Sequence, residues 1–339
     1  MKVVRRICAV IVGTIFFVAG MLKLMDPVGT GLIVQEYFKF LHLAFLIPIS
    51  KVTAVALSLF ETLLGAAMIT GVWPRVTGLL TGIVLIGFTV LTLFLWIFNP
   101  PMDCGCFGEA LHLNHAQSFW KNIALVVLWG IAYIPLGKAP TARRAKHVSF
   151  WITVVSMGVF TFMTLKGIPP IDFTTFKPGV TLMQAQYGAA PDSPLLSISD
   201  ADGEYCDDLL STGTVMLFSK YDPEDISART LDRINDFKSK LDSIGVKTVT
   251  AVSSVDLGPG EYSADRRTLM TVNRSNGGVT LFSDGLIVAK WPASRLPDVS
   301  FVADLASSDA TEAMMKENAP RRMRLQGFLL YVFAVLLLL

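Results

Sequence analysis

The sequence is short of charge. Only 17% of its 339 residues are charged, against 52% hydrophobic, and the mean hydropathy is +0.54. A soluble chain carries about a quarter charged residues, so a purely water-soluble globular protein is excluded. Cysteine is scarce as well: four residues are too few for the disulfide framework of a small secreted domain. No basic stripe is present to hold nucleic acid. The net charge is only +2, and the positive residues flank apolar runs, where they orient a membrane protein. Acids are nearly missing from the first half. Residues 1–166 hold 13 Lys and Arg, but their only acids are Asp26, Glu36, Glu61, Asp103 and Glu109; the other 22 acids lie between Asp172 and Glu317. A basic, apolar part is therefore joined to a mildly acidic, soluble one.

A bilayer demands roughly 20 apolar residues per helix, and such runs occur at 7–25, 52–72, 76–98, 119–136 and 148–165, with a shorter one at 325–339. Lipid offers an open backbone no partner, so each run is read as a helix. Gly78 and Gly82 form a small-xxx-small pair that lets helices approach closely. The first run is long for a signal peptide, and Lys23 to Pro27 offers no small-residue cleavage site. If the five runs cross alternately, Lys2, Arg5, Arg6, Arg75, Lys138, Arg143, Arg144 and Lys146 share one side. The positive-inside bias makes that side the cytoplasm. The loop 99–118 and the soluble region then face outward together, into the periplasm of a bacterial inner membrane. Arg321, Arg322 and Arg324 oppose the bias, which a long translocated domain tolerates.

The expected organisation is a transmembrane bundle over 1–138, a basic cytoplasmic loop over 139–147 and a fifth membrane helix over 148–166. A periplasmic α/β domain over 167–320 and a C-terminal anchor over 321–339 complete it.

The loop after the third run carries the most chemistry. Two prolines, Pro100 and Pro101, end the helix, and Asp103-Cys-Gly-Cys-Phe-Gly108 follows. Cys104 and Cys106 are close enough to bond, but the ring would be small and strained, which favours an exchange-competent disulfide over a staple. The flanking Asp103 and Glu109 are expected to raise the thiol pKa values. Three readings are open: a dithiol/disulfide pair, a metal site that adds His112 and His115 to Cys104 and Cys106, and a static loop clip.

This loop and its helices resemble the MauE branch of the DoxX-like membrane proteins. The matching features are Gly20 to Pro27 (with Lys23 and Asp26) at the end of the first helix, Glu61 to Gly65 in the second, and Asp103 to Gly108 after the third. The resemblance spans about residues 5–138. It implies a four-helix membrane bundle, to which this chain adds further spans. MauE is implicated in maturing methylamine dehydrogenase, whose small subunit is rich in disulfides, so the resemblance implies a thiol–disulfide role on periplasmic proteins.

Glu61 lies inside the second span, where a carboxylate is costly and faces the bundle interior. Lys23 and Lys121 are its candidate partners, and Lys23 could instead pair with Asp26, three residues on. If the cysteine pair hands electrons to a quinone, Glu61 could help move protons; no motif identifies a quinone or any other cofactor. The bland reading is a buried glutamate that fixes helix register.

From about residue 170 the pattern becomes α/β. Strands are expected at 213–219, 246–252 and 268–272, a helix at 226–244, a hairpin about Ser283-Asp284-Gly285, and a closing helix at 298–306. The element order resembles the thioredoxin fold without its Cys-x-x-Cys: Lys220 to Asp225 follows the first central strand and has no cysteine. Cys206 precedes that strand, as a packed thiol or a resolving partner for the loop pair, and Cys8 is read as packed.

The leading expectation is a membrane protein assisting thiol–disulfide exchange or maturation of a periplasmic protein partner through Cys104 and Cys106. Whether it is itself an enzyme is open. The rival is a non-enzymatic assembly scaffold with structural loop cysteines. No span shows the broken-helix ion site of a transporter.

Overall fold

The computed structural model describes residues 2–134, 143–182, 194–254 and 256–338. Lys138 and positions 139–142 of the expected basic loop lie outside the described residues. The chain divides into two compact units, Met1–Thr164 with Gln326–Leu339, and Leu165–Leu325.

The first unit is helical: α1 (Lys2–Met25), α2 (Pro27–Phe40), α3 (Ser50–Thr70), α4 (Pro74–Phe98), α5 (His115–Tyr133) and α6 (Arg144–Lys166), with a short extended segment β1 (Cys106–Glu109) between α4 and α5. Among the described residues four helical stretches are long and apolar enough to cross a membrane: Lys2–Met25, Ala44–Thr70, Pro74–Phe98 and Arg144–Lys166. The run expected at 119–136 is the helix α5, whose 19 residues reach ~28 Å. It is not among those four, because polar residues from His115 to Asn122 fill its first two turns.

Helix α2 was not visible as an apolar run. It starts where Asp26 accepts a hydrogen bond from the Gly29 N–H at 2.9 Å, with Pro27 in the first turn, the usual chemistry of a helix start. α1 and α3 pack backbone to backbone: a Cβ on Gly65 would stand 2.4 Å from the Phe17 nitrogen. Gly82 lies under the Trp129 ring, and Trp129 Nε1 donates to the Gly78 carbonyl oxygen at 2.8 Å, so the small pair on α4 receives α5. Arg5 and Arg6 do more than orient the chain. Arg5 donates to the Ala132 carbonyl and Arg6 to those of Met68 and Ile69, where helix C-termini leave carbonyls without partners.

The second unit holds β2 (Thr214–Lys220), α7 (Ala228–Ser243), β3 (Lys247–Val252), β4 (Glu261–Ser263), α8 (Arg266–Val272), β5 (Gly278–Ser283), β6 (Leu286–Trp291), α9 (Val299–Ser307) and the first part of α10 (Ala310–Leu338), whose residues from Gln326 on belong to the first unit. The sheet order is β4-β3-β2-β5-β6. β2, β3 and β4 run parallel, with Leu217 opposite Val249; β5 runs antiparallel to β2, with Leu217 opposite Thr280, and β6 antiparallel to β5. Central β2 is buried from Val215 to Lys220, as a strand covered on both faces must be. Phe218, Ile234, Phe237, Leu281, Trp291 and Val302 form part of the core on one side.

One expectation fails here. Residues 268–272 are not a strand but lie in α8, because Asp265 caps the Thr268 N–H at 2.9 Å and turns Leu269, Met270 and Val272 inward as a helical face. The third parallel strand is Glu261–Ser263 instead. The apolar run at 325–339 has no helix of its own. It is the end of one 29-residue helix that begins at Ala310 and passes through Pro320.

Candidate functional site

The site begins with a reversal in the chain. Gly105 has φ +59°, and a Cβ there would meet Ile33 at 2.5 Å, so only glycine fits. The turn brings the Cys106 N–H to 3.5 Å from the Cys104 sulfur. Tyr37 on α2 donates its hydroxyl to the Cys104 carbonyl oxygen and fixes the turn from the other side.

Helix α5 supplies the next groups. Its start is set by Asn114, which accepts from the Gln117 N–H at 2.7 Å in a reciprocal capping box. One turn in, the fully buried Ser118 donates to the Cys104 sulfur at 2.8 Å. Lys121, three residues on and on the same face, lies 4.9 Å over the Phe107 ring and reaches the Cys106 sulfur. From α1 and α3 come Lys23 and Glu61, both buried, with Nζ 2.6 Å from Oε2. Lys23 therefore pairs with Glu61 rather than with Asp26, which is occupied as a cap.

The two thiols are unlike each other. Cys106 is pulled below the ordinary thiol range, chiefly by the hydrogen bond from the Cys104 thiol. Burial opposes the shift, and the ammonium groups of Lys121 and Lys23 reinforce it. Cys104, buried and donating to its neighbour, is pushed up by that hydrogen bond and by desolvation. This corrects the expectation that Asp103 and Glu109 would raise both. Asp103 turns outward to the His112 ring at 3.2 Å, and Cys106 is lowered first by Cys104 and then by cations distant in sequence but near in space.

The other candidates fall apart as a set. His112 is exposed beside Asp103, and His115 Nε2 faces the Pro100 carbonyl oxygen at 3.2 Å. Among the described residues no group of three or more His, Cys, Asp or Glu side chains is placed to hold a metal ion. All four cysteines are free thiols. Cys8 packs in the core with Val12, Leu64 and Met68. Cys206 belongs to the second unit, is half-buried, and donates to the Glu204 carbonyl oxygen at 3.4 Å. Sequence reasoning missed Ser118 and Tyr37. The spacing of Ser118 and Lys121 on one face of α5 was the available signal for the first; nothing local pointed to the second.

The family model for methylamine utilisation protein MauE matches residues 1–135. The membrane region is MauE-like. Every residue of the cluster, from Lys23 to Lys121, falls inside the MauE-like stretch, and the α/β unit falls outside it. With four helices able to cross a bilayer, the chain is a multi-pass membrane protein. No curated protein and no solved structure matches it.

Proposed function

We propose that the MauE-like region carries out thiol–disulfide exchange on partner proteins during their maturation, with Cys106 as nucleophile and Cys104 as the resolving cysteine. The observation that carries this reading is the asymmetry of the pair: one thiol beside two lysine ammonium groups, the other buried against Ser118. The Cys106 thiolate attacks a partner disulfide, forming a mixed disulfide and releasing one partner thiolate. Cys104 then loses its proton and attacks the Cys106 sulfur, closing the Cys104–Cys106 bond and releasing the second partner thiolate. Two electrons pass from the pair to the partner; attack by another partner thiolate on the mixed disulfide instead gives isomerisation with no net transfer.

The α/β unit fits a docking role. Its β2–α7–β3–β4–α8–β5–β6–α9 order, with β5 antiparallel to both of its neighbours, β2 and β6, supports a thioredoxin-like reading, and the segment after β2 has no cysteine. An outward, periplasmic placement of the cysteine loop and of this unit rests on α5 crossing the bilayer and on the distribution of lysine and arginine.

The test is capture in membranes. A Cys104→Ser variant should accumulate mixed disulfides on Cys106 that disappear on reduction and are absent from Cys106→Ser. A pair found in one fixed state under every oxidant and reductant, with replacement changing only protein abundance, would leave an anchored scaffold.

A further inference from the structure

The α/β unit contains a small cleft of about 50 Å³ that the exchange chemistry does not use. Its ionisable lining is Asp172, Lys177, Arg274, Lys290, Arg321 and Arg322. Five cations thus surround one carboxylate. Lys290 is buried and pairs with Asp172 at 2.6 Å, and Arg321 pairs with Glu317 at 2.8 Å. Arg274 is a buried guanidinium whose Nη1 donates to the Met270 carbonyl oxygen at 3.1 Å. Lys177 and Arg322 stand exposed and make no ion pair among the described residues. Cations gathered in a concave site attract an anion, and guanidinium and ammonium donors together suit phosphate oxygens.

The position of the cleft in the chain narrows the ligand. Its wall from Ile168 to Asp172 directly follows Lys166, the last residue of a membrane-length helix. At no more than ~3.6 Å per residue, Asp172 lies within about 20 Å of that helix end. Arg321 and Arg322 immediately precede the apolar run that ends the chain. Basic residues flanking membrane segments meet the headgroups of anionic lipids.

We propose that this cleft binds a phosphate group, presented by an anionic phospholipid headgroup or as free phosphate. Arg274 and Lys290 form the floor, held by Met270 and Asp172, and Lys177 and Arg322 close on the anion from the rim. The proposal is independent of Cys104 and Cys106, and its test leaves them untouched.

The full-length protein is placed in nanodiscs of phosphatidylcholine, with and without phosphatidylglycerol. Retained phosphatidylglycerol is counted by native mass spectrometry for wild type and for the Lys177→Gln/Arg322→Gln variant. Removing two interfacial cations should lower retention about thirtyfold, with Lys177→Gln alone intermediate. In phosphatidylcholine discs the melting temperature is read in inorganic phosphate against chloride at equal ionic strength. Loss of lipid retention in the variant, with no phosphate response in wild type, assigns the headgroup. A phosphate-dependent stabilisation lost in the variant assigns free phosphate. Equal retention and equal melting behaviour in wild type and variant would overturn the proposal. Both substituted side chains are exposed, so an unchanged melting temperature without added anion checks that the variant is folded.

Discussion

Ser118 donates to the sulfur of Cys104 across 2.8 Å, from a hydroxyl that is itself fully buried. That bond favours the Cys104 thiolate, which burial and Cys106 oppose. It joins α5 to the loop, as do the side chains of Lys121 over Phe107 and His115 beside Pro100.

Ser118→Ala removes this donor. A single hydrogen bond contributes about 1 kcal/mol, or roughly fivefold in rate. Resolution of a Cys106 mixed disulfide should slow by that factor, while first attack by Cys106 is little changed. Quenched-flow trapping of the intermediate separates the two steps, and equal slowing of both would show that Ser118 shapes the whole loop.

Lys121→Met takes away the cation nearest Cys106. An ordinary thiol titrates near ~8.5, and Cys106 lies below this with Lys121 in place. Wild-type Cys106 should therefore react with iodoacetamide at neutral pH, while buried Cys104 does not. In the variant the alkylation profile should move toward alkaline pH, because the neutral thiol is no longer disfavoured. An unmoved profile would assign the shift to Cys104 alone.

The Lys23–Glu61 pair is buried on both sides. Breaking such a pair from one side leaves an uncompensated charge and costs about 3–5 kcal/mol. Lys23→Met and Glu61→Leu should each lower thermal stability in detergent strongly, and the double variant should recover much of the loss. Additive losses in the double variant would show that the two side chains act separately.

Asp172 offers a pH test in the α/β unit. Burial alone would raise its pKa, but Lys290 at 2.6 Å and the Thr174 N–H at 2.9 Å hold it below the ordinary carboxylate value. Its folded pKa is therefore lower than its unfolded one. The stabilisation is fully present above the unfolded value of ~3.9 and is lost as pH falls through the folded value. Asp172→Asn should be clearly less stable than wild type at pH 7. The gap should narrow on acidification below about pH 4, and a gap independent of pH would show that the charge contributes nothing.

Much of this architecture was legible in the residues. Apolar runs located α1, α3, α4 and α6 because a bilayer leaves so few backbone solutions, and Ser283-Asp284-Gly285 marked its hairpin through the positive φ values of Asp284 and Gly285. Helix α2 was hidden because Asp26 and Pro27 read as the end of a span rather than as the cap of a second helix. The stretch Thr268–Val272 misled because β-branched residues suggested a strand where a capping aspartate set a helix. At the site, the cysteines were plain in sequence but their inequality was not. Neighbours along the chain, Asp103 and Glu109, gave the wrong sign for Cys106, since the Cys104 hydrogen bond needs the folded turn and Lys121 and Lys23 approach only once the helices pack.

The environment of Cys106 is assembled from α1, α5 and the loop, and that of Cys104 from α2, α5 and the loop. A synthetic peptide covering 99–114 would keep both sulfurs but lose Tyr37, Ser118, Lys121 and Lys23, and with them the packing that holds the turn and sets which thiol donates. It should behave as an ordinary dithiol, with two similar titrations and no preference for which atom is alkylated first.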